Sequence, residues 1–247
     1  MPCYPAVALL LGCAMASGDR WLKWGTRAIG VVTALALAAI CAILWMVRNL
    51  AAPGDISSAL SQNPDVYTLS LGHMTDLTMA SFAYLRWPLS VAGLAFAVGT
   101  WGAWRRRAAV ALVAMMVLFF HAARIALVVF DPYMSSRPLA EALLAAPPGK
   151  LIVDDQYYTF SSVFFYTNRR AYLLNGRVNN LDYGSYAPDA PLDVFIDDAE
   201  FQRLWSSEAR YYLVVEGPKA ERLEQLAGKT RMHLEKSSGG KYLFTNH

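Results

Sequence analysis

The chain has 247 residues, of which 55% are apolar and 17% are charged, with a formal net charge of +3. Soluble proteins carry about 25% charged residues, so this composition excludes an ordinary soluble protein. The lysines and arginines gather at the ends of apolar runs and form no basic stripe, which excludes a nucleic-acid partner. The cysteines, Cys3, Cys13 and Cys41, lie in apolar runs, so no disulfide framework is expected after residue 130, and we predict no metal and no cofactor.

Four apolar stretches predict about four transmembrane helices, because a bilayer core needs about 20 residues of helix. The predicted spans are 4–17, 28–47, 87–104 and 108–130. The first stretch is short and its basic residues follow the apolar run, which is the wrong charge order for a cleaved signal peptide. It is more typical of the lower part of a spanning helix that begins upstream. We therefore expect the chain to be a fragment that starts at an internal methionine.

The basic residues of the short loops predict the orientation in the membrane. Residues 18–27 contain three lysines and arginines and 105–107 contain three arginines, whereas the loop 48–86 has bases only at its two ends. The positive-inside rule places the two basic turns in the cytoplasm. The loop 48–86 and the region 131–247 then face outward, on the extracytoplasmic side.

The outward loop contains the first candidate site residues. Its part 67–85 has an amphipathic pattern and is predicted to lie along the outer membrane face or to fold into the mouth of the helix bundle. His73 and Asp76 are three apart, so they would share one face of a helix. They would line a substrate cavity or, alternatively, both face water. Arg86 would contact a lipid phosphate, or act as an interface anchor before an apolar span.

The region after residue 130 alternates between strand and helix patterns, which predicts a small, partly parallel α/β sheet. Strands are predicted at 151–153, 171–174, 194–196 and 211–215, with a hairpin of 232–234 and 242–244. Helices are predicted at 136–145, 161–166, 200–205 and 218–226. The fold class is therefore a membrane α-helical region, 1–130, followed by a small extracytoplasmic α/β domain, 131–247.

Polar residues in this domain are candidates for substrate contact. The loop 175–186 is rich in amide, arginine and tyrosine groups, which suit sugar hydroxyls; alternatively, it is an ordered loop that satisfies its own backbone. Asp154-Asp155 and Asp197-Asp198 follow short apolar strands and suit acid–base chemistry or metal binding, but helix capping is the favoured interpretation. The candidate residues of the loop are Asn175, Arg177, Asn179, Asn180 and Tyr183.

Two ionisable residues lie within the last predicted span. An ionisable residue inside a membrane is a functional hypothesis by default. Arg124 is close enough to the outer end to extend its charge to the interface, and His121 lies deeper, where it could hydrogen-bond to a neighbouring helix. A small transporter-like bundle is a third hypothesis that depends on these two residues alone.

Several segments resemble bacterial membrane glycosyltransferases of the GT-C type, the relatives of protein mannosyltransferases and of the lipid A aminoarabinose transferase. No single motif is specific, but their order along the chain is similar. The resemblance covers essentially the whole chain and only the C-terminal part of the family's length. The segments are YPA at 4–6, YTLSLGH at 67–73, DPY at 131–133, FFYTNRR at 164–170, YLLNGR at 172–177 and NNLDYGS at 179–185.

The resemblance implies a function in sugar transfer. The complete enzyme would move a sugar from a polyprenyl-phosphate donor to an acceptor at the outer face of a bacterial inner membrane, with the region 131–247 on the periplasmic side. Its further partners would be membrane lipid and the missing N-terminal half. The family places its catalytic carboxylate in the first outward loop near the N-terminus, and nothing before Tyr4 matches that loop. We therefore assign no catalytic residue and expect the chain alone to be inactive. The alternative is a membrane-tethered extracytoplasmic subunit that binds a glycan or a protein.

Overall fold

The computed structural model describes residues 4–17, 20–60, 77–105 and 108–247. The chain divides into two compact units, which are built differently. The first comes from Met1–Ala51 and Phe82–Val128, and the second comes from Ala52–Ser81 and Val129–His247. The assignment of the first part to the membrane and of the last part to the periplasm stays a prediction.

Helices follow the four predicted apolar stretches. Within the described ranges, two helices, α2 and α5, are long and apolar enough to cross a membrane. The predicted count of four transmembrane helices is thus supported for two, and the spans at α1 and α4 stay predictions. The helices are α1 (Tyr4–Ser17), α2 (Arg20–Val47), α3 (Ser81–Tyr84), α4 (Arg86–Ala103) and α5 (Ala108–Met134).

Glycines allow α4 and α5 to approach closely. A Cβ atom at Gly99 would overlap the sulfur of Met115, and one at Gly102 would overlap the Cβ of Ala111. Small residues at such contacts let helix backbones pack together where no hydrophobic effect drives them. Gly99 and Gly102 therefore permit the close packing of α4 against α5.

In the described range 108–247, six strands form one mixed sheet in the order β3-β2-β1-β4-β6-β5. The strands β3, β2, β1 and β4 are parallel, and β6 pairs antiparallel with both β4 and β5. The predicted small, partly parallel sheet is confirmed. The strands are β1 (Lys150–Asp154), β2 (Ala171–Leu174), β3 (Phe195–Ile196), β4 (Tyr211–Glu216), β5 (His233–Ser238) and β6 (Lys241–Thr245).

Helices cover both faces of this sheet, because successive side chains of a strand point to opposite faces. The helices are α6 (Arg137–Ala145), α7 (Ser161–Thr167), α8 (Asn180–Gly184), α9 (Asp198–Trp205) and α10 (Gly217–Ala227). On one face, α9 and α10 pack on the sheet through a core that includes Ile152, Leu174, Phe201, Trp205, Leu213, Val215 and Leu223. On the other face, α6 and α7 pack through a core that includes Leu139, Leu143, Leu151, Val153, Val163, Tyr212 and Val214.

The hairpin of β5 and β6 is longer than predicted. The strands extend to His233–Ser238 and Lys241–Thr245, whereas the sequence indicated three residues each. β5 is the edge strand and its residues are mostly exposed and polar, so they lack the apolar alternation that marks a strand. The two strands are joined by Gly239 and Gly240, whose φ angles of 62° and 73° are those that a two-residue hairpin turn requires.

Candidate functional site at the carboxyl edge of the sheet

The strand order reverses at the carboxyl ends of β1 and β4. From β1 the chain adds β2 and then β3 on one side, and β4 joins β1 on the other side. In open α/β sheets, ligands bind in the crevice outside the carboxyl ends of the strands at such a reversal. Five polar residues meet at this edge, and we name them the edge cluster: Asp154, Asp155, Asp198, Lys219 and Arg222.

Asp154 is the most buried member of the edge cluster. It ends β1, is only 3% exposed, and its Oδ1 accepts a hydrogen bond of 2.8 Å from Nη2 of Arg222. Its Oδ2 is buried and has no hydrogen-bond partner among the described residues. Burial raises the pKa of Asp154 to about 6, although the positive charges of Arg222 and Lys219 oppose this rise.

Arg222 joins two carboxylates that are distant in sequence. Its Nη1 donates to both carboxylate oxygens of Asp198, at 2.8 and 3.0 Å, while its Nη2 holds Asp154. The amide of Asn175 also donates to Asp198, at 2.9 Å. Burial would raise the pKa of Asp198, but the hydrogen bonds from Arg222 and Asn175 outweigh it and lower that pKa below its usual value.

The turns that carry these groups have an unusual backbone. Asp155 and Asn175 have φ angles of 57° and 52°, in the left-handed region that aspartate and asparagine tolerate better than most residues. Their backbone N–H groups donate to the carbonyls of Leu174 and Ile196, at 2.8 and 2.9 Å, so each turn is tied to the neighbouring strand. Asp155 then forms an ion pair with Lys219 in the first turn of α10.

The edge cluster is nearly balanced in charge, with three carboxylates and two cations. Such a set offers acceptors and donors to hydroxyl groups, and it suits a neutral polyhydroxyl ligand better than a highly charged one. In the part of the chain that the structure describes, no group of three or more histidine, cysteine, aspartate or glutamate residues could hold a metal ion.

The capping interpretation of the aspartate pairs is correct for one residue. Asp197 caps α9, where its Oδ1 accepts from the backbone N–H of Glu200 at 2.8 Å. It is wrong for Asp154, Asp155 and Asp198, whose carboxylates pair with Arg222 or Lys219. Ser136 occupies the position before α6, but its hydroxyl donates to the carbonyl of Thr159 and does not cap the helix.

Sequence reasoning missed Lys219 and Arg222. Both lie on α10, directly after the apolar strand β4, and they are three residues apart. Positions three apart share a helix face, and a helix that follows a parallel strand begins at the carboxyl edge of the sheet. This spacing after an apolar strand could therefore have predicted two cations at that edge. It does not identify the carboxylates with which they pair.

The predicted loop residues are placed differently from one another. Asn175 joins the edge cluster through Asp198. The guanidinium of Arg177 lies over the ring of Phe195, at 5.1 Å, and Oδ1 of Asn180 accepts from the hydroxyl of Tyr158. Asn179 directly precedes α8 with a φ angle of 53°, and Tyr183 is 82% exposed.

The candidates of the outward loop are described in part. His73 and Asp76 lie outside the described residues. Arg86 donates through Nε to the carbonyl of Val47 at 3.2 Å, and through Nη2 to the carbonyls of Val47 and Leu50. It thereby places its positive charge at the carboxyl end of α2, where the helix dipole favours a cation. Its contact with a lipid phosphate stays a prediction.

The ionisable pair of the last predicted span is placed on α5. Nδ1 of His121 lies 2.8 Å from the carbonyl of Val117, one turn earlier in the same helix. Arg124 is exposed on the surface of this unit. The described contact of His121 is thus within its own helix, which is typical of a satisfied polar side chain.

The architecture defines a class of protein in which apolar helices are combined with a doubly wound α/β unit. No family model matches the sequence, and no curated protein matches it. The fold is similar to the crystal structure of ArnT from Cupriavidus metallidurans in the apo state, with a TM-score of 0.58 and 17% identity over 98% of this chain and 41% of that chain. A second similar structure is ArnT from the same organism bound to undecaprenyl phosphate, with a TM-score of 0.48 and 16% identity over 91% of this chain and 37% of that chain. The chain thus spans about two fifths of the length of ArnT.

Proposed function

We propose that this chain is the C-terminal portion of an integral-membrane glycosyltransferase of the GT-C type. The enzyme would transfer a sugar from a polyprenyl-phosphate donor to an acceptor at the outer face of the bacterial inner membrane. One observation carries the proposal: the fold follows that of ArnT, a lipid A aminoarabinose transferase, over 98% of the chain. The order of segments that resemble this family in sequence supports it.

The helices suit a donor that is anchored in lipid. A polyprenyl tail stays in the bilayer, and its sugar phosphate lies at the membrane surface, so the protein must hold groups at the end of a spanning helix. Arg86 begins α4, and its guanidinium reaches the end of α2, where the carbonyls of Val47 and Leu50 engage three of its five N–H donors. We assign the two donors on Nη1 to a phosphate oxygen of the donor, because positive groups near the departing phosphate stabilise the transfer.

Photo-crosslinking tests this assignment. The full chain is reconstituted in vesicles and irradiated with a polyprenyl phosphate that carries a photoreactive group. Labelling is expected to fall when unlabelled undecaprenyl phosphate competes, and to persist when the uncharged polyprenol competes. Equal competition by the alcohol would contradict recognition of the phosphate.

Matched arginine variants locate the contact. Arg86→Gln is expected to reduce the phosphate-dependent labelling several-fold, and Arg86→Lys should retain part of it because the charge remains. Arg48→Gln is the control, since Arg48 lies at the same helix end over the ring of Trp45. If Arg48→Gln reduces labelling as much as Arg86→Gln does, the assignment to Arg86 is wrong.

A second function is favoured by the edge cluster. A polar site at a reversal of strand order is typical of a binding module, and it fits a membrane-tethered subunit that recognises a glycan. Titration of the full chain in detergent with soluble cell-envelope oligosaccharides separates the two functions. Binding that is lost in Asp198→Ala and Asn175→Ala, without any phosphate-dependent labelling by the polyprenyl probe, would favour the binding subunit.

A further inference from the structure

Exposed aromatic residues lie where the long apolar helix α5 ends. Phe165 is 81% exposed, Tyr166 is 46% exposed, and Met134, the last residue of α5, is 56% exposed. We call these three residues together with Arg137 the exit surface. Large apolar side chains at such exposure are unfavourable in water, and a cluster of them marks a surface that contacts something else.

Hydrogen bonds hold α7 beside the end of α5. The hydroxyls of Ser135 and Ser162 are 3.5 Å apart, and the hydroxyl of Ser136 donates to the carbonyl of Thr159 at 2.7 Å. Ser135 and Ser136 directly follow Met134, so the first turn of α7 lies next to the point at which the apolar helix stops.

The same helix contributes to the core with its other side. Val163 is fully buried, and the ring of Phe164 packs edge-on against Tyr157 at 6.1 Å. Phe165 and Tyr166 stack edge-on against each other at 5.1 Å, on the outward side. Phe165 and Tyr166 thus lie outside the core that Val163 and Phe164 join, and they are exposed to whatever covers this side of the helix.

Charge at the exit surface is consistent with a lipid headgroup. The guanidinium of Arg137 lies 5.4 Å from the ring of Tyr166, and Arg137 also pairs with Glu141 at 2.8 Å. Aromatic rings combined with a cation are the groups that favour the interface between lipid tails and water. Continuity with an apolar helix of spanning length identifies the partner as the bilayer that this helix enters.

We propose that the exit surface inserts into the headgroup region of that same bilayer and holds the α/β unit against the membrane. The proposal rests on the membrane location of α5, which is part of the proposed function. The occupant is the lipid surface itself, and neither a second copy of the chain nor a soluble protein is required to cover these side chains.

The test uses an environment-sensitive fluorophore on single cysteines. The full chain, with Cys3, Cys13 and Cys41 replaced by serine, is labelled with NBD at Phe165→Cys in vesicles of phosphatidylethanolamine and phosphatidylglycerol. Two matched positions serve as references: Leu234→Cys on β5, a 55% exposed apolar residue, and Val113→Cys within α5, a 65% exposed one. Lipids that carry a nitroxide near the headgroup quench only fluorophores close to the bilayer.

At position 165, the emission is expected to be blue-shifted and quenched several-fold more strongly than at position 234. If position 165 behaves like 234 while 113 is quenched by nitroxides placed deep in the acyl chains, the exit surface does not contact lipid and the membrane location of α5 stands. If no nitroxide quenches either 113 or 165, both ideas are overturned. A blue shift at 165 without lipid quenching means that protein covers this surface, which also overturns the proposal.

Discussion

The protonation of Asp154 is controlled by its burial at the end of β1. Its pKa in the folded chain is about 6, against 3.8 when the carboxyl is exposed. Between these values the folded state holds a proton that the unfolded state has lost, so the free energy of unfolding falls as the pH rises from about 4 to about 6. A shift of this size corresponds to about 3 kcal/mol. Near neutral pH, the buried negative charge of the Asp154 carboxylate is tolerated because the guanidinium of Arg222 pairs with it.

Asp154→Asn removes this titration. The amide cannot ionise, so we expect the decline of stability between pH 4 and 6 to flatten in this variant. The midpoint of urea unfolding, followed by circular dichroism of the full chain in detergent, measures the slope. Asp193→Asn, at an exposed position, is the control and should leave the slope unchanged. A decline in Asp154→Asn as steep as in the parent would show that another group is responsible.

Lys241 shows the opposite dependence on pH. It is 4% exposed, and its Nζ donates to the carbonyls of Tyr133 at 2.6 Å and Ser135 at 3.4 Å. Burial lowers its pKa to about 8, although the charges of Glu216 and Asp131 oppose this. Between pH 8 and 10.5 the unfolded state binds the proton that the folded state has released, so stability rises with pH in this window.

Lys241→Met is therefore expected to lose the rise of stability above pH 8, which amounts to at most about 3 kcal/mol. It also removes two hydrogen bonds that join β6 to the last turn of α5 and to Ser135, so its stability below pH 8 reports the value of those bonds. The readout is the unfolding midpoint, measured at a series of pH values from just below 8 to 10.5. Lys229→Met, at an exposed position, should keep the parent profile, and an unchanged profile in Lys241→Met would contradict the assignment.

At the scale of elements, the contact between α4 and α5 depends on glycine. A methyl group at Gly102 would overlap the Cβ of Ala111, so Gly102→Ala is expected to push the helices apart at a cost of about 1–3 kcal/mol. Gly25→Ala is the matched control, because a Cβ there meets no atom within 4 Å, and alanine favours helix more than glycine does. The thermal midpoint in detergent should fall for the first variant and not for the second; equal midpoints would contradict close packing.

Local patterns were sufficient to predict most elements of the α/β unit. The strand β2 was predicted with its observed bounds, 171–174, because polar residues limit an apolar run on both sides. The edge strand β5 was predicted too short, because its polar residues break the apolar alternation. The edge cluster could not be predicted, because Arg222 reaches Asp154 across 68 positions of sequence. Only the order of strands, which depends on non-local pairing, brings them together.

At the scale of the whole molecule, the side of the membrane on which the chain ends depends on α4. The bases at 18–27 place the start of α2 in the cytoplasm by the positive-inside rule, and α2 and α5 are long enough to cross. If α4 crosses as well, three crossings follow those bases and His247 lies in the periplasm. If α4 does not cross, two crossings follow and His247 returns to the cytoplasm.

Reporter fusions after His247 distinguish these two topologies. We expect alkaline phosphatase to be active there, because it folds only in the periplasm, and we expect green fluorescent protein to be dark. The matched control is a fusion after Arg105, at the predicted cytoplasmic turn, where the two reporters should behave in reverse. A fluorescent fusion at His247 with inactive phosphatase would mean that α4 does not span. The α/β unit would then lie on the cytoplasmic side, where it could not take part in sugar transfer at the outer face.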